Sequence, residues 1–452
     1  MTNPIHSRFR RRDVLRLAGT LAGAAALGAR AQAQQPDYKA LVCVLLAGGN
    51  DGHNMIVPLD DAPYAVYRAA RGALALPDAS ARLLPVQTPA GQRYGLNSGL
   101  QAIAPLWSQG RLAVVANMGP LAAPTTRAQY LAGTAALPGN LFSHSDQIVQ
   151  ALAGNASGAG GTGGTGWGAR SVDALIARNS NPRFPAAVSM AGSSLFCTGG
   201  KVASASLVPG FDLGADGMST WPESAAQARA RALGEILQID QGVVLVQAAN
   251  RVRADARELN ALLRAGSSAA AIATPFPGTA LGQQLLQVAR LMKLRDSAGV
   301  GRQVFFCSLG GFDTHSAQGW THWDLLRQLG EALAAFHAAT QELGLASQVT
   351  SFTQSDFGRT LQPSGSGSDH GWGNHQLVLG GGVRGGEVYG RFPTLELGGA
   401  DDAGSRGVLI PSTALEQFGA TLARWFGVPA NELPAVFPNL AAFAPATLGF
   451  MG

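Results

Sequence analysis

The chain has few charged residues, few lysines and few cysteines. Charged side chains make up 13% of the 452 residues, while 46% are hydrophobic, against a usual charged share of about a quarter. So much apolar surface excludes wholesale disorder, because the chain can bury a large core. Three cysteines are too few for a disulfide framework, and Cys43 and Cys307 lie in apolar, strand-like runs. We therefore predict that all three cysteines are buried free thiols.

The excess of positive charge lies at the amino terminus. The formal net charge of the chain is +5. Residues 1–33 hold a single acid, Asp13, and six arginines: Arg8, Arg10, Arg11, Arg12, Arg16 and Arg30. The rest of the chain keeps 27 of the 33 basic residues and 27 of the 28 acidic residues, so it is neutral. A neutral domain argues against a nucleic-acid partner, which requires a basic surface.

Residues 1–33 have the pattern of an export signal. The arginines precede an apolar run from Leu17 to Leu27, and small-residue cleavage sites follow at Ala29-Arg30-Ala31 and Ala31-Gln32-Ala33. This run is too short for a membrane span, which needs about 20 apolar residues. Arg11-Arg12-Asp13-Val14-Leu15-Arg16 resembles the twin-arginine motif, which implies export of the folded protein by the twin-arginine translocase. We predict a periplasmic or secreted protein that does not span the membrane; the alternative is a basic tail before an amphipathic helix.

Residues 34–452 alternate between strand-like and helical patterns. Apolar runs typical of parallel strands buried on both faces occupy four segments: 41–47, 112–116, 304–309 and 349–354. Helical patterns occupy residues 224–265, 280–295, 320–343 and 411–427. A Gly-rich segment, residues 155–168, is predicted to be a surface loop, with a lid over a site as the alternative. We predict a single α/β domain with a mostly parallel sheet and helices on both faces.

Three of the predicted strands are followed directly by an aspartate. Asp51 follows the first, Asp313 the third and Asp356 the fourth. A single aspartate in such a place is more often a turn or cap residue. Three of them predict a shared site, because ligands bind beyond the carboxyl ends of parallel strands.

The histidines outside the leader are grouped in the same kind of segment. Any one of them is more often a structural residue, but grouping beside aspartates favours metal binding or acid–base chemistry. Six of the seven lie in these turns or in polar Gly/Ser segments: His53, His144, His315, His322, His370 and His375. Aspartate and neutral histidine together suit Zn²⁺, Mn²⁺ or Fe. The predicted ligands, for one ion or two, are Asp51, Asp313, His315, Asp356, Asp369, His370 and His375.

These motifs together resemble a large bacterial family of exported proteins of unknown function, grouped with the alkaline phosphatase and sulfatase superfamily. The segments that carry the resemblance are the twin-arginine leader and residues 48–52, 141–147, 311–318, 355–359 and 369–371. The resemblance implies a three-layer α/β/α, alkaline phosphatase-like domain with a bimetallic hydrolase centre. It implies Asp51 as the ligand after the first strand, with Asp313 and His315 as a second pair. Phe357 stands where the superfamily has a histidine, so Asp369-His370 or His375 is expected to replace that ligand.

The predicted catalytic residues are Ser143, His144 and Arg359. The superfamily implies a serine, threonine or modified cysteine nucleophile at a helix N-terminus, where backbone N–H groups hold an anion. Ser143 is the candidate, with Thr125 and Thr126 in reserve; the alternative is that Ser143 caps its helix. Arg359 and Arg170 are candidates to clamp an oxyanion, or are structural. No cysteine lies in a Cys-x-Pro-x-Arg context, which argues against a formylglycine sulfatase.

Two functions follow as hypotheses. The first is an exported, metal-dependent hydrolase of phosphate or sulfate esters, using Zn or Mn and acting on a small-molecule or cell-envelope ester. The second is an exported binding protein that keeps the hydrolase fold without turnover. Phe357 and the presence of only three lysines, Lys39, Lys201 and Lys293, favour the second, and the clustering of aspartate and histidine favours the first.

Overall fold

Within the residues that the computed structural model describes, nine strands form one mostly parallel sheet. The described residues are 37–79, 81–179, 184–209, 221–239 and 271–452, with 242–247, 249–250, 253–254 and 257. The predicted leader, residues 1–33, lies outside them. Residues Asp37–Gly452 form one compact unit.

All four apolar runs that predicted strands form strands. They correspond to β1, β5, β8 and β9, each extended by one to three residues beyond the apolar run. The strands of the described chain are, in order, β1 (Lys39–Ala47), β2 (Ile56–Pro58), β3 (Leu83–Gln87), β4 (Arg93–Asn97), β5 (Leu112–Gly119), β6 (Ala187–Ser189), β7 (Ser204–Ser206), β8 (Arg302–Gly310), β9 (Val349–Ser355), β10 (Arg359–Ser364), β11 (Gly367–His370), β12 (Asn374–Gly380), β13 (Val388–Tyr389) and β14 (Thr413–Ala414).

The strand order of the main sheet is β13-β5-β12-β9-β1-β8-β6-β7, with β14 beside β5. The central strand β1 is parallel to both of its neighbours, β8 and β9. Strand β12 is antiparallel to both β5 and β9, so β5 runs in the same direction as β1, β8 and β9. The carboxyl ends of these four strands therefore meet at one edge, which we call the carboxyl edge. Two smaller sheets, β2-β4-β3 and β10-β11, complete the described strands.

Helices connect the strands and supply the apolar side chains that cover the sheet. Of the predicted helices, 280–295 and 320–343 form α8 and α10. The α-helices of the described chain are α1 (Gly52–Met55), α2 (Asp61–Arg71), α3 (Pro105–Ser108), α4 (Arg127–Leu131), α5 (His144–Ala153), α6 (Trp167–Asp173), α7 (Glu223–Ile236), α8 (Ala280–Lys293), α9 (Arg295–Ala298), α10 (Gln318–Glu342), α11 (Leu415–Phe426) and α12 (Leu433–Val436).

Two of the predicted helices are shorter than their sequence patterns. Helix α7 covers the first part of the pattern at 224–265, much of which lies outside the described residues. Helix α11 begins at Leu415, because Thr413 and Ala414 pair with β5 before the chain turns into the helix.

The core lies on both faces of the sheet. Alternate residues of a strand point to opposite faces, and in β1 Val42 and Val44 join one apolar cluster while Leu41 and Cys43 join the other. Helices α8 and α10 cover the first face, and α6 and α11 cover the second. The fold is therefore mixed α/β, with helices flanking a central sheet, as predicted.

The three cysteines are free and buried, as predicted. Burial raises the pKa of each thiol above its ordinary value. In the Gly-rich segment 155–168, the structure has a 3-10 turn, Gly158–Thr162, and the start of α6 at Trp167. Asn155 and Trp167 are buried at the two ends of this segment, while Gly163 and Gly164 between them are exposed.

Candidate metal centre

Side chains from three separate segments of the chain meet at the carboxyl edge of the sheet. Asp313 follows β8, His370 ends β11, and His144 is the first residue of α5. One ligand-type atom from each of these residues lies within 4.8 Å of the other two. We call His144, Asp313 and His370 the metal cluster, because two imidazoles and a carboxylate are the donor set that Zn²⁺ prefers. All three side chains are partly exposed, so the metal cluster is open to solvent.

Hydrogen bonds outside the cluster fix the tautomers of its two imidazoles. His144 Nδ1 lies 2.6 Å from Asp356 Oδ2, and His370 Nδ1 lies 2.8 Å from the carbonyl oxygen of Phe142. Both partners are acceptors, so each Nδ1 carries a proton and each Nε2 of a neutral ring has a lone pair. Burial lowers the pKa of His370 below its ordinary value, which favours its neutral ring.

The Nε2 atoms of both rings face the carboxylate of Asp313. His144 Nε2 lies 3.5 Å from Asp313 Oδ1, and His370 Nε2 lies 3.4 Å from the same oxygen. Asp313 Oδ1 also accepts a hydrogen bond from Arg359 Nη2, and His370 Nε2 lies 3.1 Å from His315 Nε2. Of the three candidate ligand atoms, His144 Nε2, which is shielded from solvent, is the one without a hydrogen-bond partner in the described structure. Two ligand atoms on one tetrahedral Zn²⁺ lie about 3.3–3.6 Å apart, and the separations of the two ring nitrogens from Asp313 Oδ1 fit that range.

Asp356 lies behind the metal cluster. Its Oδ1 accepts hydrogen bonds from the backbone N–H groups of Gly48 and Gly49, each at 3.0 Å. Its Oδ2 accepts from His144 Nδ1. A carboxylate that holds the outer nitrogen of a metal-binding histidine fixes the ring orientation and raises its basicity. Asp356, predicted as a direct ligand, therefore lies where it supports His144.

Arg359, predicted to clamp an oxyanion, is fully buried and already bonded. Its Nε donates to Gly49 O and its Nη1 to Ser368 O, both at 2.9 Å. Its Nη2 donates to Asp313 Oδ1 and to backbone carbonyls. Burial opposes ionisation of Asp313, but the hydrogen bond and charge of Arg359 outweigh it and lower the pKa of Asp313. Arg359 thus faces the interior and holds Asp313 in place, an arrangement that favours the structural alternative over the oxyanion clamp.

His315 and Asp369 lie on the solvent side of the metal cluster. His315 Nε2 is 3.0 Å from Asp313 Oδ1 and 3.1 Å from His370 Nε2, which places it within reach of the same ion. The other ring nitrogen, Nδ1, is 3.4 Å from Asp369 Oδ1. Asp369 also forms a 2.8 Å ion pair with Arg406, so its charge is compensated at the rim of the site.

Asp51 lies apart from the metal cluster, although it follows the central strand. Its carboxylate is fully buried, forms an ion pair with Arg71 and accepts a hydrogen bond from Gln318. Burial opposes its ionisation, but the charge of Arg71 outweighs that effect and lowers the pKa of Asp51. In this structure the cation beside Asp51 is therefore Arg71, and Asp51 is not among the residues that converge with Asp313.

His375 also lies apart from the metal cluster, in a fully buried position on β12. Its Nδ1 accepts a hydrogen bond from the backbone N–H of Asn117 at 3.1 Å, and its ring stacks on Phe392. Burial holds the pKa of His375 well below its ordinary value, so the ring is neutral and its single proton is on Nε2. In this arrangement neither nitrogen has a lone pair free for a metal, so His375 is not arranged as a ligand in this structure.

Ser143 is the N-cap of α5. Its hydroxyl accepts from the backbone N–H of Asp146 and donates to the Asp146 carboxylate. Thr126 caps α4 in the same way, and the hydroxyl of Thr125 donates to Ala123 O. Arg170 is bonded to the carbonyl oxygens of Val436, Thr165 and Ala153. The structure thus gives each of these predicted catalytic or anion-binding side chains an internal partner.

Sequence reasoning missed the residues that support the site. Arg71 belongs to no motif, and Phe142 and Gln318 lie in motifs without having been assigned a role; only the folded chain brings these residues to Asp51 and His370. One signal is visible in the backbone. Phe142 has φ of 72° and Ala317 has φ of 50°, values that are uncommon for residues other than glycine and that cluster at functional sites.

Comparison with known proteins identifies the family of the chain. In the described residues no helix combines the length and apolar character needed to cross a membrane. No curated protein matches the sequence. The match to a family covers 38–427, a span that contains the whole metal cluster. The chain therefore belongs to the family described as Protein of unknown function (DUF1501).

Proposed function

We propose that the protein is an exported, metal-dependent hydrolase of phosphate or sulfate esters with an alkaline phosphatase-like fold. The convergence of His144, Asp313 and His370, each with one ligand-type atom within 4.8 Å of those of the other two, carries the proposal. The metal cluster is partly exposed at the edge of a mostly parallel sheet, where α/β proteins bind ligands. The predicted twin-arginine leader supports export, because that route carries folded proteins.

His144, Asp313 and His370 would hold the ion, with His315 within reach as a further ligand. Zn or Mn fits this mixed nitrogen and oxygen donor set better than Mg²⁺ or Ca²⁺, which prefer oxygen alone. A divalent ion there acts as a Lewis acid towards a phosphoryl or sulfuryl oxygen. The rim beside it, formed by His315, Asp369 and Arg406, is partly exposed, so an ester group can approach from solvent.

The residues around the metal cluster hold it ready for binding. Asp356 orients His144, the carbonyl group of Phe142 orients His370, and Arg359 orients Asp313. Because each partner is itself buried or in the backbone, the three ligand atoms lose little conformational freedom when an ion binds. The predicted nucleophile, Ser143, acts only if its hydroxyl leaves the Asp146 carboxylate for the ester.

One observation favours the second hypothesis, an exported binding protein without turnover. Ser143 and Arg359, two of the three predicted catalytic side chains, are both engaged in internal hydrogen bonds. Such a protein would bind the metal ion and hydrolyse nothing. Metal content and ester turnover, measured on the same sample, separate the two functions.

The test combines metal analysis with a screen of phosphomonoesters, phosphodiesters and sulfate esters on the purified protein. We expect one bound divalent ion per chain at the metal cluster, and ester turnover that falls at least a hundredfold in Asp313→Asn and His144→Ala. Asp324→Asn on α10 is the matched control, because Asp324 bonds only to Arg327 and Gln328. Metal binding without turnover would establish the binding protein, and a metal-free, inert protein would exclude both.

A further inference from the structure

A cavity lies beyond the carboxyl end of β5. Its volume is about 660 Å³, which is within the range of small-molecule sites. The lining residues come from two segments, 121–128 after β5 and 410–412 before β14, and from 400–401, 443–444, Arg391 and Gln417. Among the residues that the structure describes, those lining the cavity do not include His144, Asp313 or His370. The cavity is therefore separate from the metal cluster.

The cavity has an apolar floor, by which we mean its buried lining. Leu121, Ile410 and Phe443 are buried there and belong to one apolar cluster. Trp372 belongs to the same cluster, and its Nε1 donates to Pro120 O at 2.9 Å, which fixes the chain directly before Leu121. The exposed lining residues are Pro124, Thr126, Ala128, Arg391, Ala400 and Ala444. The cavity is thus open to solvent above an apolar base.

Three charged residues line the cavity, and two of them neutralise each other. Arg391 donates to both carboxylate oxygens of Asp401, at 2.8 and 2.6 Å. The neighbouring carboxyl groups of Asp402 and Glu416 are not part of the lining, and Asp402 accepts hydrogen bonds from four backbone N–H groups. The third charged residue, Arg127, therefore gives the lining one uncompensated positive charge.

Arg127 is held in place but has a donor without an acceptor. Its Nη2 donates to Gly404 O at 2.9 Å, and Gly404 N donates to Asp402 Oδ1, so the guanidinium is bonded to an ordered loop. Its Nε is shielded from solvent without a hydrogen-bond partner, and within the described part of the chain Arg127 has no carboxylate partner. A shielded donor without an acceptor is rare in folded proteins. The group that matches a guanidinium in charge and geometry is a carboxylate or a phosphate.

We propose that this cavity binds an organic carboxylate, with the apolar body of the ligand on Leu121, Ile410 and Phe443 and its anionic group on Arg127. The proposal is independent of the proposed hydrolase, because no residue of the metal cluster lines the cavity. A carboxylate carries one negative charge, which matches the single uncompensated charge of the lining. Its oxygens are also acceptors of the kind that Arg127 lacks.

Charge and polarity disfavour other classes of ligand. A phosphate monoester carries about −1.5 to −2 charges at pH 7, which is more than Arg127 alone compensates. A sugar would leave Arg127 uncompensated and would place hydroxyl groups against the apolar floor, where polar groups without partners are costly. A neutral hydrocarbon would fill the floor but would bring no acceptor to Arg127.

The first measurement is a calorimetric titration of the purified full-length protein with 4-phenylbutyrate and with octanoate, two carboxylates that have apolar bodies. We expect saturable binding, with 4-phenylbutyrate bound at least about tenfold more tightly than its neutral analogue 4-phenylbutanol, because a hydrogen bond to a charged group contributes at least that factor. Equal affinities for 4-phenylbutyrate and 4-phenylbutanol would overturn the proposal. So would the absence of saturable binding of both carboxylates.

Arg127→Gln tests the residue assigned to the carboxylate. We expect 4-phenylbutyrate to bind at least about tenfold more weakly to this variant, while the affinity for 4-phenylbutanol is unchanged; a general loss of structure would lower both. Arg290→Gln is the matched control, because Arg290 is an exposed arginine on α8 that does not line the cavity. Unweakened binding of 4-phenylbutyrate in Arg127→Gln would overturn the proposal.

Removal of metal ions separates this cavity from the metal cluster. After dialysis against EDTA we expect the affinity for 4-phenylbutyrate to be unchanged. If the protein then binds 4-phenylbutyrate through Arg127 but hydrolyses no ester, the proposed hydrolase fails alone. Carboxylate binding that is lost with the metal would place the ligand on the metal cluster and overturn the proposal.

Discussion

Each imidazole of the metal cluster has one nitrogen fixed by a neighbour and the other directed at Asp313. For His144 the neighbour is a carboxylate that is itself anchored by two backbone N–H groups, from Gly48 and Gly49. For His375 the neighbour is a backbone N–H group, which reverses the tautomer and removes the lone pair. The same residue type is therefore a candidate metal ligand at one position and a structural side chain at the other, and the difference lies in a single hydrogen bond.

At the residue scale, Asp356→Asn tests whether the hydrogen bond to Nδ1 sets the tautomer of His144. The amide oxygen keeps the hydrogen bonds from Gly48 and Gly49, so the amide NH₂ faces His144 Nδ1 and favours the tautomer with the proton on Nε2. We expect metal affinity to fall about 10- to 100-fold, the usual effect of losing such a support. Competition with a chelator of known affinity measures it. Unchanged affinity in Asp356→Asn, with Asp324→Asn as the control, would contradict the assigned role of Asp356.

Two helix starts, those of α5 and α10, bring the site together. Helix α5 begins at His144, directly after its cap Ser143, so the cap fixes where the first ring of the metal cluster emerges. Helix α10 begins at Gln318, after Ala317 in the left-handed region. Ala317 N donates to Ser366 Oγ and Gln318 N to Ser366 O, which joins this start to the hairpin that ends in His370. The geometry of the metal cluster thus depends on how two helices begin.

Ser143→Ala distinguishes a capping role of Ser143 from a role as the nucleophile. Loss of the cap is expected to lower the free energy of unfolding by about 1 kcal/mol, measured by urea denaturation. Ester turnover is expected to change less than tenfold, because the hydroxyl is held by Asp146. Ser145→Ala, at the neighbouring exposed serine, is the matched control. Loss of all turnover in a folded Ser143→Ala protein would instead establish Ser143 as the nucleophile.

Ala317→Gly tests the strained start of α10. Alanine at φ of 50° is strained, since its Cβ crowds the backbone, whereas glycine adopts this region freely. We expect the substitution to leave the free energy of unfolding unchanged or to raise it by up to about 1 kcal/mol. The same change at Ala334, inside α10, should destabilise by roughly 1 kcal/mol. A destabilised Ala317→Gly protein would show that the backbone there carries no strain.

At the scale of the whole molecule, the described domain buries titratable groups, and some of their polar atoms have no hydrogen-bond partner. Burial lowers the pKa of His53 and of His322 to about 4, which keeps both rings neutral in the folded state. Glu416, in the first turn of α11, is fully buried and its Oε2 has no hydrogen-bond partner. Burial raises the pKa of Glu416 from 4.5 to about 7. These groups make the stability of the whole domain depend on pH.

Glu416→Gln isolates one of these effects. Below pH 4.5 the carboxyl is protonated in both states, and between pH 4.5 and 7 only the unfolded state ionises. The favourable contribution of Glu416 is therefore lost as pH rises through about 7. We expect the free energy of unfolding of Glu416→Gln, relative to that of the unmodified protein, to increase over this interval by on the order of 3 kcal/mol. Urea denaturation at several pH values measures it, and Glu432→Gln, at an exposed site, should show a constant difference.

The sequence by itself determined the layers of the fold and the edge that holds the site. Apolar runs such as 41–47 and 304–309 are long enough to be buried on both faces, and burial on both faces is what a central parallel strand requires. The aspartates after β8 and β9 follow from the same pattern. Buried thiols follow as well, because Cys43 and Cys307 lie inside those runs.

Only the tertiary structure decided which side chains form the metal cluster. Asp51 and Asp313 have the same place at the end of a strand, yet Asp51 meets Arg71 and Asp313 meets His144 and His370. His144 and Asp356 are 212 residues apart, and no local pattern encodes their 2.6 Å contact. Whether a short segment is buried can be predicted from its apolar composition. The partner of a ring nitrogen or carboxylate is set by contacts between distant segments, which exist only once the chain has folded.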